Sequence, residues 1–99
     1  MTIALYTKLT EFTQEEIQDT LSYALRNETE QAKSRSDYFA GICTEFENRY
    51  GFSSDVFLER FEVGELGDDE PLFDWYAAVR GLRLWERRHQ ILGGIIVNG

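Results

Sequence analysis

The chain has 99 residues, with eighteen acids against ten bases and a formal net charge of −8. That length is read as one domain with a modest core, and that charge disfavours nucleic acid and anionic membranes as non-specific partners while suiting a basic protein. A single cysteine, Cys43, and a single histidine, His89, leave no internal disulfide, no cysteine metal cluster and no histidine pair for a metal.

Seven Phe, five Tyr and two Trp make the chain 14% aromatic. Side chains of this kind supply much apolar area per residue, to a core or to an interface. No stretch approaches the roughly 20 apolar residues that cross a bilayer. The start lacks the basic head and apolar run of a signal peptide. The expectation is a cytoplasmic protein, away from membranes, that carries no cofactor.

Residues 1–12 read as an extended start. Ile3, Leu5, Thr7 and Leu9 fall on one side, as in a short strand. The other β-like run is Ile95, Ile96 and Val97, in a tail that follows Gly93 and Gly94. The two segments suit a small terminal pairing or strand addition to another chain, because a lone strand needs a partner. The competing reading is two unstructured ends.

A helix start is written at Thr13. Thr13 and Glu16 have the spacing of a capping box, and Phe12 and Ile17 that of a hydrophobic staple. Leu21, Leu25, Ala32, Phe39, Ile42 and Phe46 then follow a mixed three-and-four spacing, with Glu28 and Arg35 on the same stripe. Gly51 is a natural left-handed stop. Between residues 26 and 37 the only apolar residue is Ala32. One reading is a single helix over residues 13–51 with a solvated middle. The other is a turn near Ser34 and Ser36, both N-cap types, which would give four helices. Good helix formers and the absence of Gly and Pro favour continuity. A continuous helix of roughly 55 Å at 1.5 Å per residue outruns any other helix in the chain. It therefore predicts a second chain or a protruding arm.

A short helix over residues 53–63 follows, capped by Ser53, stapled by Phe52 and Phe57 and stopped at Gly64. Phe57, Leu58 and Phe61 supply its apolar face. Gly67 breaks the chain. Asp68 or Asp69 then caps a third helix over residues 68–92, with Pro71 in its first turn, where a missing N–H costs nothing. The fold class is all-α, a single domain of three helices, or four if the first divides.

The third helix carries both tryptophans. Leu72, Trp75, Tyr76, Val79, Leu82, Trp85 and His89 form one broad stripe, the expected core face. A second line, Phe73, Ala77, Leu84 and Ile91, falls on another side. A helix that is apolar on two sides needs two coverings. A partner can supply the second, or the first helix can wrap round and do so. Asp68, Asp69, Glu70 and Asp74 crowd the start, and Arg80, Arg83, Arg87 and Arg88 crowd the end. That order complements the helix dipole. Read instead as recognition, Arg80, Arg83 and Arg87 on one face could touch phosphates, against the acidity of the rest.

Catalytic constellations are missing. His89 reads as a structural histidine, and Cys43 has no activating motif beside it. Glu65, Asp68, Asp69 and Glu70 lack the alternating spacing of a calcium loop.

The segment FLERFEVGELGDDEPLFDWYAAV, residues 57–79, resembles a phrase, FLEKFExGELGDDxDFxEWxA, of small archaeal and cyanobacterial proteins similar to TumA-like antitoxins, the partners of TumE-type toxins. The resemblance covers about a quarter of the chain. It implies a non-catalytic protein that binds and neutralises a small, typically basic toxin. Phe61, Leu66, Asp68, Asp69, Phe73, Trp75 and Tyr76 would be its fold signature. Pro71 and Leu72 stand where the phrase is more acidic, and the long first helix lies outside it.

The leading expectation is therefore a protein-binding module, antitoxin-like, docking through Phe73, Ala77, Arg80, Leu84, Arg87 and Ile91 onto a protein partner or a second copy. The alternatives are an acidic inhibitor that imitates nucleic acid, and a small regulator that binds nucleic acid through Arg80, Arg83 and Arg87.

Overall fold

The computed structural model describes residues 11–95. Three helices follow in order, α1 (Gln14–Tyr50), α2 (Ser54–Glu62) and α3 (Glu70–Gly93). The expected pairing of the two ends falls largely outside the described residues. Of its residues, Glu11 and Phe12 lie in a turn and bend, and Ile95 is irregular.

α1 runs unbroken through the polar middle. Ser36 does not cap a new helix there. Its hydroxyl donates back to the Lys33 carbonyl at 2.8 Å, as Thr29 does to Leu25 and Thr44 to Ala40. Such back-bonding satisfies a hydroxyl without ending the helix. An ion pair between Lys33 and Asp37 at 3.2 Å spans the same turn. Its two side chains are well exposed, so the pair contributes little. At the start, Thr13 Oγ1 accepts from the Glu16 amide at 3.1 Å, and the Glu16 carboxylate accepts from the Thr13 amide at 3.4 Å. This is the reciprocal capping box. At the end, Gly51 sits at φ 82° and returns its amide to the Glu47 carbonyl. That left-handed turn favours glycine because it has no Cβ.

α2 is capped by Ser53, whose hydroxyl accepts from the Val56 amide at 3.2 Å. Two further left-handed glycines, Gly64 and Gly67, turn the chain into α3. Asp69 takes the N-cap position of α3, but its side chain makes no capping hydrogen bond. The cap is a backbone one, with the Leu72 amide bonded to the Asp69 carbonyl. The arginines expected to crowd the helix end stop short of it. The last turn of α3 holds no basic residue, and dipole stabilisation fades beyond one turn. Their placement therefore has little to do with the dipole.

α1 and α3 pack antiparallel. Phe46 stacks on Trp75, Phe39 lies against Gly81, and Arg35 stacks on Trp85. Carried on at that pitch, the end of α3 comes level with about residue 27 of α1, since both helices rise 1.5 Å per residue. Residues 14–26 of α1 then run on past α3. The long dimension of 59 Å, against 22 and 19 Å, reflects that overhang. α2 lies along one flank of the pair, with Phe57 against Trp75 and Asp55 bonded to Arg83. The core gathers at this end: Cys43, Phe57, Leu58, Leu72, Trp75, Ala78 and Val79. Among the described residues no helix is long and apolar enough to cross a membrane.

At Gly81 the Phe39 ring of α1 lies directly against the backbone of α3. A Cβ there would meet the Phe39 ring at 2.8 Å, whereas one at Gly41 would meet nothing within 4 Å. Overpacking typically costs about 1–3 kcal/mol, and alanine for glycine inside a helix returns about 0.5–1 kcal/mol. Gly81→Ala is expected to lower the thermal midpoint and Gly41→Ala to raise it, by a few degrees each. Parallel melts followed by circular dichroism check the opposite signs.

Candidate functional site

The inner side of α3 is fixed by one side chain. Trp75 is fully buried. Phe57 lies nearly parallel to it with ring centres 3.9 Å apart. Phe46, Tyr50 and Phe52 surround it at 5.4 to 5.6 Å. Its Nε1–H donates to the Ser54 hydroxyl at 3.0 Å. The Ser54 amide in turn donates to the Glu47 carboxylate at 2.7 Å. One serine at the first position of α2 therefore ties α1 to α3. Neighbouring rings in such arrangements contribute about 0.5–1.5 kcal/mol per pair beyond area burial.

Cys43 lies in this core. Burial pushes its thiol pKa up, and the nearby Glu47 and Glu86 carboxylates add to the rise against a hydrogen bond with Ser54. A neutral, buried thiol is a poor nucleophile. His89 is elsewhere. It lines an open groove of about 360 Å³ between α1 and α3 with Lys33, Asp37, Leu82 and Glu86. Cys43 takes no part in lining that groove. Glu65, Asp68, Asp69 and Glu70 are all exposed. Among the described residues no three of His, Cys, Asp and Glu cluster closely enough to hold a metal.

Of the expected core stripe, Leu72, Trp75 and Val79 are buried, and Tyr76, Leu82, Trp85 and His89 are half-buried. Ala78 is buried as well. It was not anticipated, because an alanine adds little to an apolar periodicity.

The outer side of α3 is different. At 100° per residue, Phe73, Ala77, Arg80, Leu84, Arg87 and Ile91 lie on the side turned away from Trp75 and Ala78. All six are exposed, and Phe73, Leu84 and Ile91 remain 51%, 45% and 54% accessible. α1 does not wrap round to cover them. α2 reaches only the edge of this face, where Phe61 meets Phe73 edge-on at 5.3 Å. Single exposed apolar residues are ordinary. Here three of them lie on one line down one helix, with Ala77, Arg80 and Arg87 between them.

The arginines are largely engaged within the chain. Arg83 donates to Asp55 at 2.8 Å. Arg80 donates to the Tyr76 hydroxyl at 3.1 Å and lies over its ring. Arg88 and Arg35 both stack on Trp85, at 4.8 and 4.4 Å. Each contact draws a guanidinium toward a ring or an acid. Arg80, Arg83 and Arg87 therefore do not stand together as three free cations.

Comparison against protein families, curated proteins and solved structures returns no match for the chain.

Ser54→Ala would leave the buried Trp75 N–H without its acceptor, a loss of about 1–3 kcal/mol. Guanidinium unfolding read from tryptophan fluorescence measures it. The Cys43 thiol adds a pH dependence. Its pKa is raised in the folded state, so its contribution to stability is present below the unfolded value, about 8.5, and is lost as pH rises through the folded one. Stability is expected to fall more steeply above pH 9 in the native chain than in Cys43→Ala, in denaturation curves taken across that range.

Proposed function

We propose that the chain is a non-catalytic protein-binding module that docks through the outer face of α3, in the manner of an antitoxin. The observation that carries this reading is the exposed strip of Phe73, Leu84 and Ile91 on a helix whose opposite side already forms the core. Uncovered apolar area of this kind is a standing gain for any partner that removes it from water, at about 25 cal/mol per Å². Arg80 and Arg87 sit in the strip and can lay their aliphatic stems along it. Large apolar residues with arginine are the usual content of interface centres.

The antitoxin part of the reading rests on the likeness of residues 57–79 to the antitoxin phrase. Those residues span α2, the two left-handed glycine turns and the start of α3. A small toxin encoded beside the chain is the partner that likeness implies. The reading as a phosphate-binding regulator loses support from the engagement of Arg80 with Tyr76 and of Arg83 with Asp55.

Leu84→Glu puts a charge in the middle of the strip without touching the core. Co-expression with the product of the adjacent small reading frame is expected to give a stable complex for the native chain. The variant should lose it, with affinity falling by two orders of magnitude or more, about 3 kcal/mol. Its helix content by circular dichroism should stay unchanged. Undiminished assembly by Leu84→Glu would mean that the outer face of α3 is not the docking surface.

A further inference from the structure

We infer that the outer face of α3 is occupied by a second copy of this chain, packed antiparallel along α3 about a two-fold axis. This rests on reading that face as a docking surface, and it names the occupant when the chain is without its protein partner.

Spacing comes first. Phe73, Ala77, Arg80, Leu84, Arg87 and Ile91 alternate steps of four and three residues. That is the seam of a coiled coil, with Ala77, Leu84 and Ile91 at one heptad position and Phe73, Arg80 and Arg87 at the other. Glu70, at the first position of α3, continues the same seam. A seam at this repeat fits another helix, and α1 and α2 do not occupy it.

Charge then selects the partner and its direction. The exposed acids on or beside the outer face of α3, Glu70 and Asp74, lie at its start, with Asp69 just before them; the one later acid, Glu86, lines the groove toward α1. Its exposed arginines, Arg80, Arg83, Arg87 and Arg88, lie in the later part. A parallel copy would bring acid to acid and arginine to arginine. An antiparallel copy brings the acidic start of each helix to the basic part of the other. The helix is thus complementary to itself in one direction only.

One register pairs the seam from Glu70 to Arg87, with Ile91 beyond the overlap. In antiparallel packing the two heptad positions face each other. Setting Glu70 against the partner's Arg87 also sets Phe73 against the partner's Leu84 and Ala77 against the partner's Arg80. Large apolar side chains then meet each other. The longest side chain on the seam crosses the smallest, its stem along the seam while its head stays with Tyr76. A slide of one heptad one way would leave Glu70 facing the residues beyond the partner's α3, and the other way would set Phe73 against the partner's Ala77 and leave Leu84 beyond the overlap. The two-fold axis repeats each of these pairs, as an isologous interface requires.

Sedimentation equilibrium of the purified full chain, at physiological ionic strength, tests this directly. The native chain is expected to dimerise, and Leu84→Glu to sediment as a monomer with unchanged helix content. Glu70→Arg and Arg87→Glu each place like charges opposite one another twice, so each should weaken the dimer about tenfold or more. The double variant Glu70→Arg/Arg87→Glu restores opposite charges with reversed polarity and should return close to native affinity. A native chain that stays monomeric at every concentration overturns the self-pairing. It leaves docking on a foreign protein, scored separately by Leu84→Glu in co-expression, as it stands. A double variant no better than the product of its two single losses overturns the antiparallel register. A dimer indifferent to Leu84→Glu overturns the use of this face.

Discussion

The structure depends on the enclosure of one indole. Trp75 receives Phe46 and Tyr50 from α1, Phe52 from the connection and Phe57 from α2, and its N–H is satisfied by Ser54. A chain of this size buries a smaller share of its surface than a large one does. It compensates by concentrating aromatic area at one point, where a single side chain touches every helix. Ser54 makes that point specific. Its hydroxyl accepts from Trp75 while its amide is held by Glu47 of α1, so α2 has one seat along the α1–α3 pair.

Concentrating the core has a cost elsewhere. α2 is nine residues long and covers one flank of the helix pair. The open groove beside Lys33, Asp37 and His89 lies along the contact of α1 and α3, away from the aromatic cluster. α1 itself outlasts its partner, and its first turn is closed by the capping box. The same geometry leaves the outer side of α3 bare. Trp75, Ala78 and Val79 take up the inner side, and nothing in the described chain is long enough to reach round to Leu84 and Ile91. The exposed strip is thus a consequence of where the core lies.

Much of this could be read from residue order, because the signals are local. Thr13 with Glu16, Gly51, Ser53 and the glycines at 64 and 67 each fix a helix end through backbone chemistry that depends on a few neighbours. The continuity of α1 was also local, a matter of good helix formers without Gly or Pro. The two sides of α3 followed from periodicity alone. What could not be read was set by partners far along the chain. Gly81 looks like a weak point in a helix until Phe39 is seen lying across it. Ser54 looks like an ordinary first-turn residue until Trp75 is found bonded to it. The arginines near the end of α3 looked like complements to a helix dipole. Of their partners, Tyr76 and Trp85 lie four and three residues back on α3 itself, whereas Asp55 lies on α2, where no spacing rule reaches.

The placement of charge follows from the same division of labour. Of the eighteen acids, all but Glu47 are exposed, and among the described residues only Asp37 and Asp55 are in ion pairs. The arginines instead cover rings, with five guanidinium–ring contacts in the described chain. The acids therefore project a nearly uncompensated negative field, and two copies repel one another at long range. That repulsion acts over distances beyond the Debye length of about 8 Å at physiological salt, where it is screened. Contacts between a carboxylate and a guanidinium on adjoining helices act at about half that distance and are screened less. Self-pairing along the proposed strip would therefore rest on short contacts that salt screens least, against a long-range repulsion that physiological salt weakens.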